Sequence, residues 1–433
     1  MKIKTKRADY DAVMAKKRPK HYKPHRPNLF FRTLIRVVSQ PDLWATDFSY
    51  TRDWSKDTEG GPYLILMNHS SFIDLKIAYR IFYPMPFCTV CTSDGFVGMP
   101  WLMRQIGSIP TQKFVSDLTL IRDMKYALKE KKTSVLMYPE ASYTFDGCAT
   151  PLPSSMGGLC KMLDVPVLMV TTHGAFARDP LYNGLQNRKV KVSADVKCLL
   201  TRAEIKEKTA EELNDIIGEA FTLDNFAWQY DNGVEIKEPF RADGLDRILY
   251  KCPACGQEGH MEGKGIHLTC HACGKSYELT TLGQLKATEG KTEYPHIPDW
   301  YRWERACVRR EIEAGEYKLD TAVRIGMMVD YKAIYMVGEG RLVHDSNGFR
   351  LDGCDGRLHY EHKPLSSYGL YADYFWYEIG DVICIGNNDR LYYCFPEQEG
   401  VVAKTRMATE EIFKIACETA RDNQRKNSPK SGE

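Results

Sequence analysis

The chain has no long apolar run. Nowhere among its 433 residues do the roughly 18 to 20 consecutive apolar side chains of a spanning helix occur, so it is not expected to cross a bilayer. Its N-terminus carries charges with no apolar segment behind them, which argues against a secretory signal. A large net charge is also missing: the formal balance is +2, and nothing global points to nucleic acid. Nor do the 14 cysteines form a disulfide framework. Four make one metal pattern and the others lie singly among apolar neighbours, as in a reducing compartment, so the expected location is the cytoplasm. With 43% hydrophobic and 27% charged residues, the composition is that of a globular chain long enough for two or three domains.

What charge there is lies unevenly. Lys2, Lys4, Lys6, Arg7, Lys16, Lys17, Arg18, Lys20, Lys23, Arg26, Arg32 and Arg36 face only Asp9 and Asp11. Pro19, Pro24 and Pro27 interrupt any helix there, so residues 1–27 are expected to be extended or disordered alone, a basic arm suited to an anionic surface. Leu29-Phe30-Phe31 with Leu34, Ile35, Val37 and Val38 then forms an apolar helix bearing Arg32 and Arg36, followed by Pro41 and Trp44. Such a helix fits either the membrane interface or the side of a protein core.

The chemistry centres on Asn68-His69-Ser70-Ser71-Phe72-Ile73-Asp74, directly after the apolar run Tyr63–Met67. An imidazole at the mouth of a buried strand is a usable base near neutral pH, and a carboxylate five positions on can fix its tautomer. A loop histidine followed by an aspartate that caps a helix has the same spelling. Context separates the two. Short apolar runs at 63–67, 87–92, 134–138, 167–171 and 190–196 alternate with helical patterns, among them 118–132, with Ile121, Met124 and Leu128 inward, and a helix opened by the capping box Thr209-Ala210-Glu211-Glu212. This predicts an α/β layer domain over 46–240 with a largely parallel sheet. Sites in such sheets gather beyond the carboxyl ends of the strands. His69 and Glu140 each follow a strand and are therefore expected on one edge.

Four stretches together resemble the 1-acylglycerol-3-phosphate acyltransferase family. Asn68-His69-x4-Asp74 looks like its first motif, Gly107-Ser108-Ile109-Pro110-Thr111-Gln112-Lys113 its second, Tyr138-Pro139-Glu140-Ala141-Ser142-Tyr143-Thr144 its third and Val165-Pro166-Val167 its fourth. The third motif departs from the family pattern twice: Ala141 replaces a glycine, and Tyr143 stands where the family has arginine. The resemblance implies acyl transfer from acyl-CoA or an acyl-carrier protein thioester to the hydroxyl of a lysophospholipid-type acceptor. His69 and Asp74 would be catalytic, and Asn68, Arg104, Lys113, Glu140, Ser142 and Tyr143 would bind or order substrate. A lipid acceptor favours the interfacial reading of the helix after Asn28, hence 1–45 as a basic arm and membrane-contact helix and peripheral membrane association.

Cys252-Pro-Ala-Cys255-Gly256 and Cys270-His-Ala-Cys273-Gly274 make two Cys-x2-Cys knuckles fourteen residues apart. Each glycine lets backbone N–H groups turn toward the thiolates. Four thiolates saturate Zn2+, so a structural zinc ribbon is expected at 245–285, in a segment with too few apolar residues to fold without metal. Cys88-Thr89-Val90-Cys91 shares the spacing, but in a strand these positions point to opposite faces. After Pro295 and Pro298, Asp299 is expected to cap a helix to about Glu313, with a β-rich domain following to 424. It includes the hairpin 381–385 and 391–395 and ends in a helix opened by Thr409. The architecture looks like a pleckstrin-homology barrel, and 425–433 reads as a disordered tail. The alternative function is an inactive acyltransferase-fold adaptor that binds lipid, protein or nucleic acid through the ribbon and C-terminal domain. Lys251, Lys264 and Lys275 are offset by Glu258, Glu262 and Glu278, so nucleic acid is not the expected partner.

Overall fold

The structure, a computed structural model, describes residues 2–115 and 117–427. They fall into two compact units. One comprises Pro19–Gln112 and Asp117–Tyr301; the other comprises 2–18, 113–115 and 302–427. Strands are numbered along the chain from β1, Thr5–Arg7.

The first unit is built on a seven-stranded sheet of β2 (Ser49–Asp53), β3 (Leu64–Met67), β4 (Phe87–Thr92), β5 (Ser108–Thr111), β6 (Ser134–Met137), β7 (Val167–His173) and β8 (Ser193–Leu200). Its order is β2-β8-β7-β3-β6-β4-β5. Neighbours run parallel except β7 and β8. The expected strand at 190–196 therefore lies later, at 193–200, and the edge strands β2 and β5 carry too little apolar periodicity to be read from sequence. Central β3 is buried along its length. Leu64 and Leu66 join one apolar layer with Val135, Val167 and Leu213, while Ile65 and Met67 join the other with Ile77, Val170 and Phe82. A strand covered on both faces reads as a continuous apolar run, which is why 63–67 was legible.

Helices close both layers. The helix expected over 118–132 is α-helical from Leu118 to Lys125 and continues as a π-turn over Tyr126–Glu130. Thr209 caps Ala210–Ala220 with the expected reciprocal box. The apolar helix begins after Asn28, whose side chain accepts from Phe31 N at 3.0 Å, and passes through Pro41 to Ala45. It rests on the unit through Leu43 and Ile35, and Thr33 Oγ1 lies 3.2 Å from Tyr83 Oη. Its other face is open: Phe30 is 68% exposed and Trp44 75%. Among the described residues no helix is long and apolar enough to cross a membrane.

The cysteine segment folds within the same unit as a four-stranded antiparallel sheet of β9 (Met261–Lys264), β10 (His267–Cys270), β11 (Ser276–Leu279) and β12 (Leu285–Ala287). Its own apolar residues are few, as expected, but it borrows others. Fully buried Trp300 packs edge-on against Tyr277 at 5.1 Å and donates from Nε1 to Lys251 O at 3.0 Å. Leu245, Ile248 and Leu249 of the preceding linker are also fully buried. The following helix begins at Ile297, so Asp299 lies in its first turn rather than capping it.

The second unit holds β13 (Leu319–Met328), β14 (Ile334–Asp345), β15 (Gly348–Gly353), β16 (Leu358–His362), β17 (Tyr371–Trp376), β18 (Gly380–Gly386) and β19 (Leu391–Pro396). They form an antiparallel sheet ordered β16-β15-β14-β13-β19-β18-β17, two meanders, β13 to β16 and β17 to β19, joined where β13 pairs with β19. The last helix starts at Val401 rather than Thr409 and runs to Asn427, taking in the first residues of the expected tail. Residues 428–433 of that tail lie outside the described residues.

The basic arm is the main departure from expectation, because part of it is ordered structure. β1 pairs in parallel with β14, Thr5 opposite Ile334 and Arg7 opposite Met336. Asp9 caps the helix Tyr10–Met14, which buries Tyr10 and Val13. Arg357 Nη1 reaches Asp9 at 2.7 Å and Asp11 at 3.0 Å, and Arg18 meets Asp389 at 2.8 Å. A composition rich in charge and proline reads as unstructured on its own, but an edge strand and ion-pair partners more than three hundred residues away are invisible to local composition.

Close helix packing in the first unit rests on Gly157. A Cβ there would lie 2.0 Å from the carbonyl oxygen of Ala210, and Asn214 clamps the same join, accepting from Gly157 N and donating to Ser154 O, both at 2.7 Å. Gly157→Ala is therefore expected to lower stability by about 1 to 3 kcal/mol, read by chemical denaturation; an unchanged midpoint would show that the two helices separate freely.

Candidate active site

Three adjacent strands, β7-β3-β6, end at one edge, and their following segments build the site. Asp74 opens the helix Asp74–Phe82 and is 1% exposed. Its Oδ2 accepts from Ser70 N at 2.8 Å and Ser71 N at 3.1 Å and faces His69 Nδ1 at 3.0 Å. An anionic group in the first turn is also favoured by the helix dipole. Holding Nδ1 against a carboxylate assigns the proton to that nitrogen and makes Nε2 the basic one.

Glu140 pins the same loop from β6. It is buried, with Oε2 accepting from His69 N at 2.7 Å and Oε1 from Thr150 N at 3.0 Å. His69 O in turn accepts from Thr144 N at 3.3 Å. Asn68 ties the loop to β7: its Oδ1 accepts from Thr172 N at 2.8 Å and its amide donates to Thr172 O at 3.3 Å and Ser70 Oγ at 3.2 Å. Of the residues expected to order the site, Asn68 and Glu140 thus act on backbone. Ser142 is buried and its N–H donates to Glu140 O at 2.8 Å.

The imidazole is packed between aromatic rings. Tyr138 stacks on it at 4.1 Å between centroids and Tyr143 lies tilted at 4.3 Å, with Phe72 5.8 Å beyond Tyr143. Burial, with the Asp74 charge second, pushes the Tyr138 hydroxyl well above the usual phenol range, so Tyr138 stays neutral. Sequence reading put Tyr138 inside a motif without giving it a role, although its place next to Pro139 at a strand end was a usable signal. Thr150 and Thr172 carried no signal: each meets the site through its backbone N–H, with its hydroxyl adding a longer bond to the same neighbour.

The two expected cations each stand over an aromatic ring. The Arg104 guanidinium lies 3.7 Å from the centre of the Tyr22 ring. Lys113 groups with the second unit, where its ammonium stands 4.2 Å over Tyr371.

With this geometry established, comparison with known proteins is direct. The Acyltransferase family model matches residues 49–172. Residues 49–172 form an acyltransferase-family domain. Among solved structures the chain is similar to the 1-acyl-sn-glycerophosphate (LPA) acyltransferase PlsC from Thermotoga maritima, with 14% identity over 44% of this chain and 77% of that one and a TM-score of 0.36. No curated protein matches the chain. The matched residues 49–172 contain His69, Asp74 and Glu140.

The four cysteines form a second centre. The Sγ atoms of Cys252, Cys255, Cys270 and Cys273 all lie within 4.8 Å of one another, with Cys252–Cys273 and Cys255–Cys270 at 3.8 Å. Tetrahedral thiolates about 2.3 Å from an ion would stand about 3.8 Å apart, so the set fits a metal. Gly256 and Gly274 turn back to the carbonyls of Cys252 and Cys270 at 2.8 Å. Cys88 and Cys91 stay outside the cluster, and burial pushes both thiols up to about 12. Metal analysis is expected to return one tightly held ion per chain. Cys252→Ser should loosen 248–282, read as faster amide exchange there, and protein purified without chelator yet free of metal would contradict the assignment.

Proposed function

We propose that the protein moves a fatty acyl group from acyl-CoA or an acyl-carrier thioester to the hydroxyl of a lysophospholipid-type acceptor. The observation that carries this reading is the His69 Nδ1 to Asp74 Oδ2 contact of 3.0 Å inside the acyltransferase domain. His69 Nε2 takes the acceptor hydroxyl proton as its oxygen attacks the thioester carbonyl. The tetrahedral intermediate collapses with loss of thiolate, and the imidazolium returns the proton to that sulfur. Asp74 stabilises the imidazolium between the two transfers. No covalent acyl-enzyme is required.

The acceptor reading follows from charge. A phosphate monoester leaving water needs cationic partners. Tyr143, beside His69, offers one neutral donor where the family has arginine, and Arg104 is stacked on Tyr22. The site suits a monoanionic or zwitterionic headgroup, or an alcohol without phosphate. Support for peripheral membrane contact is apolar area: Phe30, Val37, Val38 and Trp44 are exposed on one helix, and exposed Trp101 meets Phe31 edge-on at 6.0 Å. Arg32 and Arg36 are held against Pro84 O and the Tyr83 ring. Four thiolates point to zinc in a structural role. The meanders of the second unit and its closing helix support the pleckstrin-homology-like reading.

His69→Ala is expected to lower turnover at least about 100-fold with the fold intact, measured as thiol release from an acyl thioester with lysolipids present. Near-normal turnover would favour the adaptor reading. In a panel of acceptors, the wild type should prefer a lysolipid other than lysophosphatidate, and Tyr143→Arg should shift preference toward lysophosphatidate. A wild-type preference for lysophosphatidate over all others would refute the charge argument.

A further inference from the structure

The segment that carries Glu140 has no helix of its own. Between β6 and the helix Met156–Leu163 the chain runs as a loop, and its stretch Gly147–Thr150 is held from the helix Asn225–Asp231 and the two residues before it. Leu223 O accepts from Ala149 N at 3.1 Å, and Gly147 O accepts from Asn225 N at 3.0 Å and from Asn225 Nδ2 at 2.6 Å. Cys148 bridges to Asp224. Packing is as close as the bonding: Gly147 has φ +81°, and a Cβ there would stand 3.1 Å from the Phe226 ring. Directly after Ala149 comes Thr150, whose N–H meets Glu140 Oε1 while Oε2 of the same carboxylate takes His69 N.

The same helix grips the cysteine sheet. Gln229, 3% exposed, donates from Nε2 to Thr281 O at 3.0 Å, in the turn between β11 and β12. Gly283 of that turn leaves room for it, since a Cβ there would lie 2.6 Å from Gln229 Oε1. Asp224 divides its oxygens: Oδ1 caps the helix through Phe226 N at 3.1 Å and Ala227 N at 2.9 Å, and Oδ2 lies 2.8 Å from His296 Nε2. His296 bridges to Gln284, and Pro295 O accepts from Leu285 N at 2.7 Å. From Leu285 the ladder continues through β11 to β10, where Cys270 N donates to Lys275 O at 2.8 Å across the turn that carries Cys273.

We propose that the four-cysteine centre positions the acyl-transfer loop, with His296 as the positioning residue between them. Bound metal orders β10 to β12 and so fixes Thr281 and His296; these fix the helix Asn225–Asp231 through Gln229 and Asp224; the helix holds Thr150 where its N–H meets Glu140. The inference rests on the reading of His69 as base. A small sheet with few apolar residues takes much of its order from the metal. Without that order the far end of the loop is released, a buried carboxylate loses a charge-assisted bond, and the backbone of His69 is held less firmly. A displacement of about 1 Å at the reacting groups is enough to cost about 100-fold in rate.

The test follows the full chain by amide exchange and by thiol release from palmitoyl-CoA with its most active lysolipid. Stripping the metal with a chelator should speed exchange at 144–150 as well as at 248–282 and lower kcat about tenfold or more with KM within about twofold; adding Zn2+ back should restore both. His296→Ala should keep its metal yet show the same faster exchange at 144–150 and the same loss in kcat, and His296→Gln, which retains a donor, should recover both. A stripped chain that loosens only at 248–282 and turns over like the wild type, alongside an inactive His69→Ala, overturns the coupling and leaves the base assignment standing. An active His69→Ala overturns both. If stripping unfolds the chain by circular dichroism, metal-loaded His296→Ala with wild-type exchange at 144–150 and wild-type kcat is the overturning result.

Discussion

One carboxylate oxygen organises the edge where β7, β3 and β6 end. Asp74 Oδ2 gathers two backbone N–H groups and the His69 ring nitrogen within 3.1 Å, in surroundings that leave the side chain 1% exposed. Burying an anion is costly unless its lone pairs are met, so the loop Ser70–Ile73 must curl over it and the helix must start at Asp74. The imidazole has little freedom in consequence: moving it would take one of three donors from that oxygen. The orientation of the ring and the satisfaction of a buried charge rest on the same contacts.

Glu140 solves the mirror problem from the neighbouring strand. Its two oxygens take the N–H groups of His69 and Thr150, so the loop is held between two buried carboxylates, one gripping the ring and the other its backbone. The acidic residue of the third motif is thus occupied by backbone donors. What the two carboxylates leave unengaged around the imidazole is Nε2 and the rings of Tyr138 and Tyr143, which flank it at 4.1 and 4.3 Å without adding charge.

How far such an arrangement can be read in sequence depends on range. His69 and Glu140 were legible because each closely follows an apolar run of a buried strand, and parallel strands deliver their carboxyl ends to one edge; Asp74 was legible from its spacing to His69. The cysteine knuckles were legible because metal spacing is local. Thr150 and Thr172 were not, since sheet order and a turn deliver their backbone N–H groups to Glu140 and Asn68. Nor was β1: three residues of an edge strand have no periodicity to offer, and what holds them, β14 and Arg357, lies more than three hundred residues away. The surroundings of Arg104 and Lys113 were not legible for another reason. A long cation has many partners within reach, and the aromatic rings at 3.7 and 4.2 Å come from distant parts of the sequence.

Ala141 shows why motif identity and motif geometry are separable. The backbone there has φ +58°, the left-handed region in which a side chain costs roughly 1 to 2 kcal/mol, so the position has the conformation for which glycine is suited while carrying a methyl group. The turn is needed because Glu140 must point back beneath His69 while the chain proceeds to Tyr143. It survives the strain because it is fixed at several points: Ala141 N reaches Tyr138 O at 3.0 Å, Ser142 N reaches Glu140 O at 2.8 Å, and Thr150 holds both the carboxylate and, through Oγ1 at 3.3 Å, the carbonyl of Glu140. A strained residue that its surroundings over-determine costs stability without loosening the site. The turn therefore keeps its shape without the glycine, whereas Tyr143 leaves one neutral donor where the family has arginine.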